Sequence, residues 1–358
     1  MKIGIDMQSA TLQATGIGYY ARCLSQEYEK IDSIDFRYYR DSQGKDYNTL
    51  QRLYWENVSL SRKARNDKID ILHVPGFAGP YMKGAYRKIT TVHDLIGLIY
   101  PQNLALVSRL YWQRWLPAAI RNSDFIIADS ENTKRDIIRL LKIPVERIKV
   151  VYLAADEVFR PIEGADEKRA RLKAYGIDKD YILNVGTVEP RKNVPRLMEA
   201  FAAYLKESKR DDLLLVIAGK KAWGYDACLS KMKELKLEDK VTFCDYVDNE
   251  DLPLLYNLAE AFAYPSFYEG FGLPVLEAMA CGVPVICSKA SSLPEIGGDA
   301  GIYVDPEDTA SVKAALSSVL GDKGFREQLR GKSIEQANRF SWAKTAAETI
   351  AIYKEVLN

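Results

Sequence analysis

At 358 residues, 47% hydrophobic and 28% charged, the chain has the mixture of a packed globular protein and is too long for one ordinary domain. A net charge of +1 argues against a general nucleic-acid binder, and five scattered cysteines with two histidines offer no paired-ligand spacing for a structural zinc site. The longest apolar stretch, 272–287, is interrupted by Glu277 and is too short to span a bilayer.

The opening MKIGIDMQSA reads as a first strand and not as a leader, so a cytoplasmic, reduced setting is expected. Short β-branched runs follow at 2–6, 35–40, 69–74, 88–92, 124–128 and 148–153, each separated from the next by amphipathic sequence. A charged, helix-prone stretch occupies 160–175, and the alternation restarts at 181–185, 213–218, 241–244, 261–264, 283–287 and 301–304. A last helix is expected over 342–356. This is the pattern of parallel sheets with crossover helices. It predicts an α/β protein of two Rossmann-like, doubly wound domains facing a cleft, 1–165 and 166–340. A closing helix at 341–358 would pack back toward the first domain. Ligands in such sheets bind at the carboxyl ends of strands. Residues 1–165 carry about +5 and the remainder about −4, so the first half is the better partner for anionic surfaces.

Several strand ends carry chemistry. Thr15-Gly16-Ile17-Gly18-Tyr19-Tyr20-Ala21 matches G-x-G-x-x-A, yet about ten residues separate it from the first strand, which disfavours a dinucleotide site. His93 in Thr91-Val92-His93-Asp94 ends a strand, as does His73, which fits acceptor contact and simple packing equally well. The stretch 104–116 sets Arg109 and Arg114 among Trp112, Trp115 and leucines; it suits either an anionic bilayer surface or an ordinary core helix. Asp178-Lys179-Asp180 has the letters of a metal-binding motif but precedes a strand, so solvated charge is expected there and no metal site. In Gly186-Thr187-Val188-Glu189-Pro190-Arg191-Lys192, a strand-to-helix turn presents two cations suited to clamping a diphosphate. Further on, Tyr264 ends a strand and a glycine-rich turn carries Glu269. Pro274 sits in the first turn of the next helix, so that Gly270, Phe271, Gly272 and Leu273 form an anion cradle. Glu277 lies one turn into that helix, placed to grip paired hydroxyls such as those of a ribose.

The segment from Glu269 to Glu277, with Phe271-Gly272-Leu273-Pro274 and Glu277-Ala278-Met279-Ala280, resembles the Glu-x7-Glu signature of the retaining glycosyltransferases of GT-B architecture, glycosyltransferase family 4 (group 1). The turn at Arg191-Lys192 and the strand end at His93 are similar to that family's as well, and the resemblance spans nearly the whole chain. It implies that Glu269 binds hydroxyls of the transferred sugar, Glu277 the ribose, and Lys192 the donor phosphates. His93 would contact the sugar near the reacting carbon, and Gly16 would bring backbone amides to sugar and phosphate. Many relatives carry Arg directly after the glycine where this chain has Thr187, which shifts part of that work to Arg191. Gly186 and Thr187 would line the donor, with the base held largely by backbone around Gly219, Tyr246 and Val247.

The resemblance further implies transfer with retention by front-face attack, the departing phosphate taking the acceptor's proton, without metal or cofactor. GDP-mannose is the expected donor, because the GTVEPRKN and TVHDL forms look like those of bacterial mannosyltransferases building surface polysaccharides. The acceptor would be a glycan or a polyprenyl-diphosphate-linked chain, reached from the inner face of the plasma membrane by peripheral contact. Two other readings stay open: a GT-B-type nucleotide-sugar epimerase and a two-domain sugar-binding protein.

Overall fold

The computed structural model describes residues 1–10, 16–41, 47–76, 78–101 and 106–358. They divide into two compact units, Met1–Leu153 with Ser341–Asn358, and Ala154–Phe340. Residues 154–165, grouped above with the first half, therefore fall in the second unit. The reason is local: the Phe159 ring meets Tyr256 edge-on, while Asn257 accepts from the Ile162 amide at 2.8 Å and donates to the Arg160 carbonyl at 2.9 Å.

In the first unit six strands form one parallel sheet: β1 (Lys2–Asp6), β2 (Asp35–Tyr39), β3 (Ile71–Val74), β4 (Arg87–Val92), β5 (Phe125–Ala128) and β6 (Ile148–Val150). Their order is β2-β1-β3-β4-β5-β6, so the direction of winding reverses between β1 and β3. All four residues of β3 and of β5 are buried, as expected for strands covered on both faces. The helix Trp342–Leu357 belongs to this unit, where Thr345 donates to the Tyr152 carbonyl at 2.7 Å.

The second unit repeats the architecture with β7 (Asp180–Val185), β8 (Leu213–Ala218), β9 (Val241–Phe243), β10 (Ala261–Tyr264), β11 (Val285–Ser288) and β12 (Gly301–Val304). The order β12-β11-β10-β7-β8-β9 puts the reversal between β7 and β10. The Leu-Leu-Leu-Val-Ile-Ala run of β8 is wholly buried. Against the sheet lies the helix Val194–Ser208, which buries Val194, Leu197, Met198, Phe201 and Tyr204 at the three-to-four-residue spacing of one helical face. Each of the twelve runs read as strands carries one, and two parallel, helix-covered sheets are the fold. Among the described residues no helix is long and apolar enough to cross a membrane.

Candidate functional site

In the second unit the chemistry gathers at the ends of β7 and β10, the two strands flanking the reversal, where an open α/β sheet leaves room for a ligand. After β7 the chain turns through Gly186 and reaches the short turn Pro190–Lys192. Asn193 follows in a left-handed conformation, its side chain donating to the carbonyls of Pro265 (3.1 Å) and Pro306 (2.6 Å), and so pins the cation-bearing turn to the neighbouring loops. Two glycines are required here. Gly186 has φ +143°, and a Cβ on Gly219 (φ +149°) would stand 2.2 Å from the Gly186 carbonyl oxygen and 3.2 Å from the Thr187 nitrogen.

After β10, Glu269 turns inward and accepts from both cations: Lys192 Nζ lies 2.7 Å from Oε1, and Arg191 Nη1 lies 2.8 Å from Oε2. Ser266 donates to Oε1 at 2.6 Å, and Lys192 also donates to the Tyr264 hydroxyl. Arg191 is held further by Glu189 at 3.0 Å and by the Tyr268 carbonyl at 3.0 Å. Glu269 and Lys192 are both buried. Burial alone would raise the Glu269 pKa, but Lys192 and then Arg191 overcome it and hold the carboxyl at about 2. Burial pulls the Lys192 pKa down, with Glu269 opposing it. The cluster thus sets two cations, Lys192 and Arg191, against two carboxylates, Glu269 and Glu189.

The turn that carries Glu269 is tied by Ser292, whose hydroxyl lies 3.1 Å from the Glu269 carbonyl and 2.7 Å from that of Phe271, and by Ser291, which accepts from the Glu269 amide. Gly272, at φ +109°, opens the helix Leu273–Ala280. One turn along, Glu277 accepts from the Tyr256 hydroxyl at 2.8 Å. Burial pushes its carboxyl up to about 7; the Tyr256 bond opposes this and Asp156 adds to it. Glu269 and Glu277 thus have opposite electrostatics: one is paired with cations and held low, the other is paired with a neutral hydroxyl and pushed up.

A testable consequence concerns stability. The folded pKa of Glu277 lies above its ordinary 4.5, so its favourable contribution is complete below that value and is lost as pH rises through about 7. Glu277→Gln should therefore melt higher than the wild type at about pH 8.5, by roughly 2–4 °C per kcal/mol recovered, and match it at about pH 5. Equal melting at both pH values would remove the premise.

The loops that carry Gly219, Tyr246 and Val247 lie beside this cluster. Gly219 donates to the Asp245 carbonyl at 2.6 Å, the Val188 amide donates to Lys220, and Lys221 pairs with Asp245 at 2.9 Å. Tyr246 is exposed and Val247 buried. Gly186, Thr187, Arg191, Lys192, Gly219 and Glu269 are therefore neighbours, with Tyr246, Val247 and Glu277 on the adjoining loops and helix.

The first unit holds the remaining candidates. Gly16, at φ +60°, immediately precedes the helix Ile17–Tyr28; Thr15 of the glycine-rich loop lies outside the described residues. His93 follows β4. Its Nδ1 bonds the Asp129 carboxylate, and its Nε2 lies 2.6 Å from the Pro75 carbonyl oxygen. A carbonyl only accepts, so Nε2 donates to Pro75, and Nδ1 shares a hydrogen with the Asp129 carboxyl. Burial works to lower the His93 pKa, but the Asp129 charge and the bonds to Asp129 and Pro75 raise it above the ordinary value. The Tyr20 ring meets the imidazole edge-on at 4.9 Å, and Thr133 donates to the His93 carbonyl. His73, by contrast, is packed: fully buried, it contacts Tyr353 at 2.6 Å and Thr91 at 2.8 Å, and burial pushes its pKa down to about 3. Asp180 of the Asp178-Lys179-Asp180 run begins β7 and pairs with Arg169 at 3.1 Å.

Sequence reasoning missed Asp129, Ser266, Tyr264 and Tyr256. Asp129 directly follows β5, so the strand-end rule that singled out His93 would have found it. Nothing in the letters marks Tyr256, which reaches Glu277 only through folding.

A family model described as "Glycosyltransferase Family 4" matches residues 15–158, and one described as "Glycosyl transferases group 1" matches residues 166–336. The chain is 36% identical over 290 residues to an O-antigen chain mannosyltransferase B of Escherichia coli, a match covering 81% of this chain and 75% of the relative. Among solved structures, a sucrose-phosphate synthase of Thermosynechococcus elongatus superposes with a TM-score of 0.79 at 21% identity, over 99% of each chain. Anabaena HepE, solved with UDP-glucose, superposes with a TM-score of 0.77 at 17% identity, over 99% of this chain and 100% of its own. With the signature Glu269 and Glu277 at the winding reversal of a second parallel sheet, the chain belongs to the group 1, family 4 glycosyltransferases of GT-B fold.

Proposed function

We propose that this glycosyltransferase moves mannose from GDP-mannose, with retention, onto a glycan or lipid-linked acceptor in the synthesis of a bacterial surface polysaccharide. The observation that carries the reading is the convergence of Lys192, Arg191 and Glu269 at the β7–β10 reversal. Two preorganised cations in a desolvated site are suited to the charge that develops on a departing nucleoside diphosphate. The kinship to an O-antigen mannosyltransferase supports the choice of sugar and of product. In the proposed step the bond between the anomeric carbon and the phosphate oxygen breaks as the acceptor oxygen attacks from the same face. The acceptor's proton passes to the leaving phosphate. Lys192 and Arg191 take up the charge, Glu269 and His93 orient the sugar, Gly16 offers backbone to sugar and phosphate, and Glu277 grips the ribose. The two cations supply the positive charge that a metal supplies elsewhere.

Calorimetric titration with GDP, UDP and ADP, followed by hydrolysis and transfer assays with the matching donors, tests this. GDP should bind most tightly, and Glu269→Ala should still bind nucleotide while losing transfer. Preference for UDP would overturn the choice of donor, and full transfer by Glu269→Ala the site.

Peripheral membrane contact is part of the proposal. Val107, Arg109, Leu110, Arg114 and Trp115 are exposed on one segment of the first unit, and Trp115 packs its ring 5.3 Å from the exposed Tyr81, next to the exposed Met82. Residues 104 and 105 of the 104–116 stretch lie outside the described residues. Aromatic and aliphatic tips among arginines suit an anionic headgroup layer. Reversing Arg109 and Arg114 to Glu should weaken binding to phosphatidylglycerol vesicles by tenfold or more, at about 1 kcal/mol per cation. Unchanged vesicle binding would end the membrane reading.

A further inference from the structure

We infer that Glu269 stands in for the donor's pyrophosphate, pairing with Lys192 and Arg191 until the diphosphate displaces it and frees its oxygens for the sugar. This rests on the donor reading above and adds an order of events to it. Both carboxylate oxygens are engaged: Oε1 by Lys192 at 2.7 Å and Ser266 at 2.6 Å, Oε2 by Arg191 at 2.8 Å. A buried Lys192 beside a half-buried Arg191 would be costly without counter-charge, and Glu269, the carboxylate that both cations share, supplies it, with Glu189 pairing Arg191 alone. A pyrophosphate brings more negative charge and more acceptor oxygens to the same cations, so it can take them over. The carboxylate then turns to the only other donors a bound nucleotide sugar offers at that point, its hydroxyls. Diphosphate binding and sugar recognition are thereby coupled, and the sugar contact is armed by the phosphates.

Such an exchange has a signature that a simple sugar-binding role lacks, because Glu269 must compete with the nucleotide for its cations. Glu269→Gln keeps the shape and removes the charge. Calorimetric titration should show GDP binding about tenfold tighter than to the wild type, with a smaller gain for GMP, which presents one phosphate. The nucleotide-free variant should melt below the wild type yet gain more melting temperature from GDP. Unchanged or weaker GDP binding by a folded Glu269→Gln overturns the inference. If that variant does not fold, Ser266→Ala decides, since it removes one hydrogen bond holding the carboxylate in place: tighter GDP binding supports the exchange, and unchanged or weaker binding overturns it. If GDP, UDP and ADP all fail to bind the wild type, the donor reading falls and takes this inference with it. If GDP binds the wild type, Lys192→Ala abolishes that binding, and Glu269→Gln leaves it unchanged, the inference alone falls.

Discussion

Replacing Lys192 with Ala should lower the transfer rate by about 10³-fold, the upper end for deleting one preorganised group that stabilises developing negative charge. Lys192 Nζ is buried, sits between the Glu269 carboxylate and the Tyr264 hydroxyl, and lies 4.6 Å from the centre of the Tyr264 ring. Water cannot readily replace a charge held there. The fold should survive, because Glu269 keeps Arg191 and Ser266 as partners. Arg191→Ala should cost less, since Arg191 is less buried and divides its bonds among Glu269, Glu189 and the Tyr268 carbonyl. Steady-state transfer with GDP-mannose, alongside melting curves, checks both variants. A Lys192→Ala protein that melts normally and works within tenfold of the wild type would remove Lys192 from the chemistry.

The architecture was legible because the strands are short, apolar and separated by turn chemistry. Runs such as 213–218 admit no polar face, so they could only be buried parallel strands. The loops that end those strands were legible too, since Gly186-x4-Arg191-Lys192 and Glu269-x7-Glu277 place charged groups where surface solvation alone gives them no reason to cluster. What the letters withhold is how side chains meet. Glu269 was expected to await a sugar, and it is instead clamped by the very cations assigned to the phosphates. That arrangement depends on β7 and β10 being neighbours in the sheet although 75 residues of sequence separate Arg191 from Ser266. The boundary at 153 was missed for a similar reason: residues 154–165 have no composition of their own, and residues far along the chain, Asn257 and Tyr256 among them, claim them. His73 shows the reverse case. Its strand-end position fitted acceptor contact and packing equally, and the Tyr353 hydroxyl, 280 residues away, takes its Nδ1 and makes it part of the core.

His93 and Asp129 allow the charge state of the second candidate centre to be separated from its shape. His93→Ala should lower transfer by about 10²–10³-fold, the scale of a positioned proton-bearing or hydrogen-bonding group, while GDP binding stays at the wild-type level. Asp129→Asn keeps the ring in place but removes the charge that favours its protonated form. Because Asp129 and the Pro75 carbonyl raise the His93 pKa, the pair stabilises the fold fully below the ordinary value of 6.5, and that stability is lost as pH rises through the elevated folded value. The difference in melting temperature between wild type and Asp129→Asn should accordingly be larger at about pH 6 than at about pH 9, where the wild type must bury the Asp129 charge beside a neutral ring. If the doubly protonated ring is the working form, the alkaline limb of the rate profile will move to lower pH in Asp129→Asn. A variant profile that superposes on the wild type, with an unchanged melting difference across pH, would reduce Asp129 to a packing residue. His93 would then hold its place by the Pro75 and Tyr20 contacts alone.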